Sequence, residues 1–178
     1  MTSLEIKRHV IEQIVYEIQT DFDNSSTLNF LSSFKLEETS MLTTYYTNTN
    51  ILTDEKLIDL KNHISNYIEI FVKNIIKKEK YEVENSWLQA YRSGDAHGLH
   101  VHDGLGAHSY SLIFYVQCTE QSADTLFYSP GYPYIHSPTM RVTPNKSKLL
   151  IFHGSMPHEV EENKDNQRII FSCNFKAS

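Results

Sequence analysis

The chain has 178 residues and a mass of 20.7 kDa, enough for one domain that buries roughly 70% of its unfolded surface and too short for a second catalytic domain. Its 16 Lys+Arg against 22 Asp+Glu give a net charge of -6, without the basic block that neutralises phosphates, which argues against nucleic acid as a partner. The single basic cluster, Lys73 with Lys77, Lys78 and Lys80, ends a predicted helix, where cations complement the helix dipole. Two cysteines, Cys118 and Cys173, are too few for a disulfide framework, and each lies in an apolar run where a reduced core residue is expected. Glu5, Lys7, Arg8, Glu12 and Gln13 interrupt the N-terminal apolar positions, and no stretch is long enough to cross a bilayer, so a cytoplasmic protein with no membrane partner is expected.

In chain order, residues 4–19 fit either a helix, through Ile6, Val10, Ile11, Ile14, Val15 and Ile18, or a strand over residues 14–18. Turn and cap chemistry at Asp23, Asn24, Ser25 and Ser26 precedes a short amphipathic helix carrying Leu28, Leu31 and Phe34. Residues 37–50 are polar and Thr-rich, a loop with room for one short strand. Behind a Thr53 or Asp54 cap, Leu57, Leu60, Ile64, Ile68, Phe71 and Ile75 repeat at three and four residues, which predicts a long helix over 53–78 with one buried stripe. From residue 81 the period changes to two. Strands are predicted at 86–91, 100–102, 110–117, 125–128, 140–142, 148–152 and 167–175, separated by Gly, Pro, Asn and Asp. The expected fold is mainly β, a single domain over 1–178, with a helical support layer over 1–80 and an all-β sandwich or barrel over 81–178.

Seven of the nine histidines (His97, His100, His102, His108, His136, His153 and His158) fall within residues 97–158. His100 and His102 are two apart, so on an extended backbone both imidazoles leave one face, close enough to share a metal ion. His158 is a third candidate ligand. Arg168 follows it by ten residues and opens the run Arg168-Ile-Ile-Phe-Ser-Cys-Asn-Phe175, on whose one face lie Arg168, Ile170, Ser172 and Asn174. A close histidine pair, a distant histidine and a late arginine suggest a metal site with an anion-binding floor. Imidazoles with coordination positions left open suit catalytic iron, copper, nickel or zinc. His97 and His108 are expected in loops, touching substrate or serving structure, and Trp87 in the core. A lid or substrate wall is placed at the Tyr-rich loop over 128–136.

His100-Val-His102, Ser111-Leu-Ile-Phe-Tyr-Val116, Leu149-Leu-Ile-Phe-His-Gly-Ser-Met-Pro-His-Glu-Val160 and Arg168-Ile-Ile-Phe-Ser-Cys-Asn174 stand in the order and spacing of a known pattern. Through them residues 87–175 resemble the double-stranded β-helix (jelly-roll, cupin-like) core of the Fe(II)/2-oxoglutarate-dependent oxygenases, the superfamily of the prolyl hydroxylases. The resemblance implies a non-haem Fe(II) dioxygenase, a hydroxylase using 2-oxoglutarate and molecular oxygen on an unidentified small-molecule or peptide substrate. It makes His100 and His158 metal ligands. Arg168 becomes the guanidinium whose planar fork pairs with the far carboxylate of 2-oxoglutarate, and Tyr91 and Tyr115 fall at positions near the cosubstrate, although aromatic core serves them equally well.

The chain departs from the pattern in two places. Most of the superfamily has His-x-Asp, whereas here position 102 is histidine and Asp103 would point the other way along a regular strand, so His102 is taken as the second ligand with Asp103 in reserve. Ile170 stands where many relatives have a serine. Two alternatives remain: a cupin-type three-histidine dioxygenase that uses no 2-oxoglutarate, prompted by Gly94 preceding the His100 pair, and a non-catalytic β-helix binding or accessory protein.

Overall fold

The computed structural model describes residues 13–33, 37–38, 42–102, 107–129, 138 and 140–178. Among the described residues eleven strands form two antiparallel sheets. The larger contains β1 (Val15–Gln19), β2 (Glu37–Glu38), β3 (Leu42–Thr43), β4 (Tyr81–Tyr91), β6 (Ser109–Gln117), β9 (Lys148–His153) and β11 (Arg168–Ala177), in the order β1-β9-β6-β11-β4-β3-β2. The smaller contains β5 (His97–His100), β7 (Thr125–Phe127), β8 (Met140–Val142) and β10 (His158–Val160), in the order β5-β10-β7-β8. Of the two readings left open for the N-terminal segment, the strand is found over Val15–Gln19, which pairs with β9; residues 1–12 lie outside the described residues.

The two-residue period of the long strands sorts their side chains onto two faces. Leu112, Phe114 and Val116 of β6, Leu149 and Ile151 of β9, and Phe171, Cys173 and Phe175 of β11 meet the helices in one apolar cluster. Ile113, Tyr115, Leu150, Phe152 and Ile170 face the other way and meet Phe127, Val142 and Val160 of the smaller sheet, forming an inner cluster between the two sheets. This is the jelly-roll arrangement expected from the strand pattern, with a helical layer on its outer face. Cys173 is fully buried as expected, whereas Cys118 sits just past the end of β6, which closes at Gln117, and is half-buried.

The helical layer is less regular than its periodicity predicts. Helix α1 (Ser25–Ser33) follows a turn in which the Asp23 carboxylate accepts from the Ser25 backbone N–H, at 3.0 Å. The long helix expected over 53–78 is built in pieces: single 3-10 turns at Ile51–Thr53 and Glu55–Leu57, then α2 (Ile58–Ile70), then a π-helical turn at Phe71–Ile75. Asp54 caps the second piece by accepting from Lys56 N. The wider π turn shifts the phase of the buried stripe, so Val72 is buried and Ile75 is half-exposed. Lys77, in the left-handed conformation at φ 55, ends the segment, and the Lys78 N–H returns to Val72 O. Before the shift, Leu57, Leu60, Ile64 and Ile68 are all buried in the outer cluster. Replacing Ile64 with Ala should therefore cost about 2–5 kcal/mol, read as a lower urea midpoint at unchanged slope; a cost under 0.5 kcal/mol would show that this helix is not part of the core.

Candidate metal centre

Antiparallel pairing of β10 with β5 sets His158 directly opposite His100, and opposite residues share a face. The strand expected over 100–102 ends at His100, but His102 stays on the same side because its N–H is held by Gly154 O at 2.9 Å. The three imidazoles offer ligand atoms that all lie within 4.8 Å of one another. Ring centroids are 4.2 Å apart for His100 and His158, 5.0 Å for His102 and His158, and 5.2 Å for His100 and His102. Asp103, the reserve ligand, lies outside the described residues.

The donor atoms are oriented by the backbone. His158 Nδ1–H donates to Met156 O at 2.9 Å and His100 Nδ1–H to Gly98 O at 2.8 Å, leaving Nε2 of each ring to face the site. Nε2 of His102 lies 3.2 Å from Nε2 of His158. Nitrogens this close need a proton or a cation between them, and three imidazole donors gathered within 4.8 Å fit a metal ion. Phe152 and Phe127 pack against the His158 ring, with centroids at 4.8 and 5.8 Å, giving the centre an apolar floor.

Burial keeps this centre neutral. Desolvation first, with neighbouring histidines adding, lowers His102 to about 3 and His97 to about 4, and drives His158 well below the ordinary imidazole range; desolvation also lowers His100. The unfolded chain takes up protons near the ordinary imidazole value of 6.5, whereas in the fold His97 does so only near 4 and His102 only near 3, with His100 and His158 lowered as well. Stability from these groups is therefore complete above pH 6.5 and is lost as pH falls from there through about 4. In metal-free protein the melting temperature should hold above pH 7 and decline steadily across that window. A flat or rising melting temperature there would contradict the assignment.

Arg168 opens β11 opposite Tyr91 of β4, and its guanidinium stands 4.3 Å from the Tyr91 ring centroid and 5.6 Å from that of Tyr115. The side chain is fully buried. Nε donates to Ala123 O at 3.0 Å and Nη2 to Thr125 Oγ1 at 3.1 Å, while Nη1 is buried without a hydrogen-bond partner. Thr125 also bonds the Tyr115 hydroxyl, at 2.8 Å. Burial raises the Tyr91 phenol and raises Tyr115 to about 12, with the Arg168 charge opposing in both, so each is a neutral hydroxyl. Ile170 belongs to the inner cluster, and the hydroxyl at the guanidinium comes from Thr125 on the smaller sheet.

A cleft of about 330 Å³ opens onto His100 and His102. Its walls include Tyr45, Tyr46, Trp87, Asn85, His97 and Asn174, but not Arg168, which lies behind in the inner cluster. One wall residue, His97, corrects the sequence-based expectations, and two others gain a place beside the metal centre. Trp87 is buried, as expected, and also borders the cleft with its ring 5.9 Å from His102. His97 lies in β5, not in a loop, and stacks on His100 at 4.0 Å and 15°. Asn174 is a hydrogen-bonded strand group, accepting from Ser111 and donating to Asn85, and it also brings Nδ2 within 3.4 Å of His102 Nδ1. Ser172 does bond locally, to Leu112 O. Tyr45 and Tyr46 carried no signal in the sequence, because cleft walls built from a connecting segment have no period. His108 is exposed on a turn, and His153 bonds Ser155 beyond the centre. Within the Tyr-rich loop, residues 130–137 are outside the described residues; Tyr128 donates to Glu159 at 2.5 Å.

No protein-family model matches the chain, and no curated protein matches it in sequence. Solved structures do match in shape. A viral collagen prolyl hydroxylase from Paramecium bursaria Chlorella virus-1, solved with 2-oxoglutarate, superposes with a TM-score of 0.64 at 12% identity over 92% of this chain and 96% of its own. The fold is that of the Fe(II)/2-oxoglutarate oxygenases. The α-ketoglutarate-dependent epimerase SnoN of nogalamycin biosynthesis matches with a TM-score of 0.68 at 9% identity, over 91% of this chain and 78% of its own. HygX from Streptomyces hygroscopicus, bound to nickel, 2-oxoglutarate and hygromycin B, gives 0.64 at 9% identity, over 91% and 82%. The jelly-roll core expected from the sequence is thus the core these enzymes share. Among the described residues no helix is long and apolar enough to cross a membrane.

Proposed function

We propose that the chain is an Fe(II)/2-oxoglutarate-dependent oxygenase, a hydroxylase of a small-molecule or peptide substrate, acting in the cytoplasm as one domain. His100, His102 and His158 hold the metal, and Arg168 receives the far carboxylate of 2-oxoglutarate beside Tyr91 and Tyr115. The fold it shares with a 2-oxoglutarate-bound hydroxylase and with HygX supports this assignment. The observation that carries it is the Arg168 guanidinium, buried beside two neutral phenols with Nη1 unpaired. A buried cation with an open donor is costly until an anion pairs with it, and a dicarboxylate meets that need bidentately. A cupin-type dioxygenase without such a cosubstrate has no use for this group.

Bound together, Fe(II) and 2-oxoglutarate supply the activation of dioxygen for insertion into a substrate C–H bond. The chain's own part is orientation and exclusion of water. Met156 O and Gly98 O fix the ligand tautomers of His158 and His100, and Phe127 and Phe152 dry the floor. Tyr91 and Tyr115 flank the guanidinium with their rings while remaining neutral themselves. Because Arg168 lies behind the cleft, the cosubstrate reaches Nη1 only as side chains of the inner cluster shift. Substrate approaches along the wall of Tyr45, Tyr46 and Trp87. Aerobic incubation of Fe(II)-loaded protein with 2-oxoglutarate should yield succinate, even without a substrate, at a slow uncoupled rate. Fe(II)-loaded protein that binds 2-oxoglutarate yet forms no succinate would count against an oxygenase.

A further inference from the structure

The hydrogen bonds behind His102 are arranged against metal binding. Ser111 Oγ donates to Asn174 Oδ1 at 2.8 Å, and Asn174 Nδ2 donates to Asn85 Oδ1 at 2.8 Å and faces His102 Nδ1 at 3.4 Å. With an amide N–H directed at it, Nδ1 of His102 must be the acceptor, so the ring's proton sits on Nε2. There it has a partner, because His158 Nε2 is 3.2 Å away and is itself an acceptor, its Nδ1–H being committed to Met156 O. The chain of donors is consistent from Ser111 through Asn174 and His102 to His158. It places a proton on the nitrogen that a metal needs.

We infer that Asn174 positions the proton of His102, and that metal binding at the three histidines is coupled to a turn of the Asn174 side-chain amide. The inference rests on the three-histidine site proposed above. When a cation takes Nε2, that nitrogen loses its proton and Nδ1 gains one, so the ring is neutral on both sides of the step. The new Nδ1–H needs an acceptor. Asn174 supplies one by turning Oδ1 toward His102; its Nδ2 then faces Ser111, whose hydroxyl accepts, and Asn85 turns its own amide to donate. Two amides and one hydroxyl thus switch together. His100 and His158 need no such change, since backbone carbonyls already hold their Nδ1 protons. Asn174 is a positioning residue that acts on the metal through His102.

Substitutions that fix the acceptor separate this role from a structural one. Ni(II) is titrated into metal-free protein and read by quenching of Trp87, the chain's single tryptophan, which lies 5.9 Å from His102. Asn174→Asp presents only acceptors to His102 and should tighten Ni(II) binding about 10-fold, the scale on which hydrogen-bond partners of a ligating histidine influence metal affinity. Asn174→Leu should weaken it by about as much. Asn85→Asp adds the same negative charge one link further away, but it pins the Asn174 amide in its present orientation and should not tighten binding. Equal tightening by both aspartates would mean charge alone is at work and would overturn the inference, as would Asn174→Asp with unchanged affinity. Wild-type protein that binds no Ni(II) would overturn the three-histidine site and this inference with it, whereas the other two outcomes leave the site standing. Imidazole ¹⁵N NMR of the wild-type chain gives an independent test: His102 should be the Nε2–H tautomer without metal and the Nδ1–H tautomer with Zn(II). The Nδ1–H form in both states would also overturn it.

Discussion

Replacing Arg168 with alanine should abolish useful affinity for 2-oxoglutarate and leave metal affinity nearly unchanged. The guanidinium is fully buried, and Nη1 has no partner among the described residues. A bidentate carboxylate placed there would form charge-assisted bonds in a dry site, and removing one member of such a buried pair costs roughly 3–5 kcal/mol, or about two to four decades in the dissociation constant. Arg168→Lys retains the charge without the planar fork and should recover only part of the loss. Isothermal titration with 2-oxoglutarate of Ni(II)-loaded wild type and variants measures both values. Equal losses of metal and 2-oxoglutarate would mean that Arg168 supports the fold and not the ligand. Because the side chain also bonds Ala123 O and Thr125, the variants' melting temperatures are needed beside the affinities.

His158→Ala should remove metal binding outright. His158 is the buried member of the triad, directly opposite His100 and 3.2 Å from His102 through Nε2. Even partners of the ligands influence metal affinity 10- to 100-fold, so losing one of three donors should exceed that range. The same change strands Met156 O without its donor, for which a fall of about 1–3 kcal/mol in metal-free stability is expected. His97→Ala gives the contrast: His97 stacks on His100 but lies outside the ligand group, so affinity should stay within a few-fold of wild type. Quenching of Trp87 by Ni(II) reads both variants. If His97→Ala proved as damaging as His158→Ala, the ligand set would have to be redrawn around a different three.

Much of this was legible in the sequence because the strands carry strict alternation. The two faces of β11 could be assigned from Arg168-Ile-Ile-Phe-Ser-Cys-Asn174 alone, and the packing follows: Phe171, Cys173 and Phe175 meet the helices while Ile170 turns inward. The cross-strand meeting of His158 with His100 was not legible. It depends on the register of β5 with β10, short strands carrying a bulge, and register is a long-range property. The break in the long helix was hidden for a different reason. A π turn preserves apolar composition while shifting phase, so Ile75 fits the periodic stripe yet faces water. Trp87 is buried, as its size suggests, and only the sheet's inner face shows that it also borders a cleft. The amide chain of Asn85 and Asn174 spans 89 residues, a separation at which sequence spacing carries no information.

The central claim is most directly tested by anaerobic titration of metal-free protein with Fe(II) and then 2-oxoglutarate, watching for the visible charge-transfer band of the chelate. The band should appear in wild type, weaken strongly in Arg168→Ala at equal 2-oxoglutarate, and be absent in His158→Ala. Fe(II) binding with no band at saturating 2-oxoglutarate would contradict the oxygenase assignment and leave a three-histidine metal site of another kind.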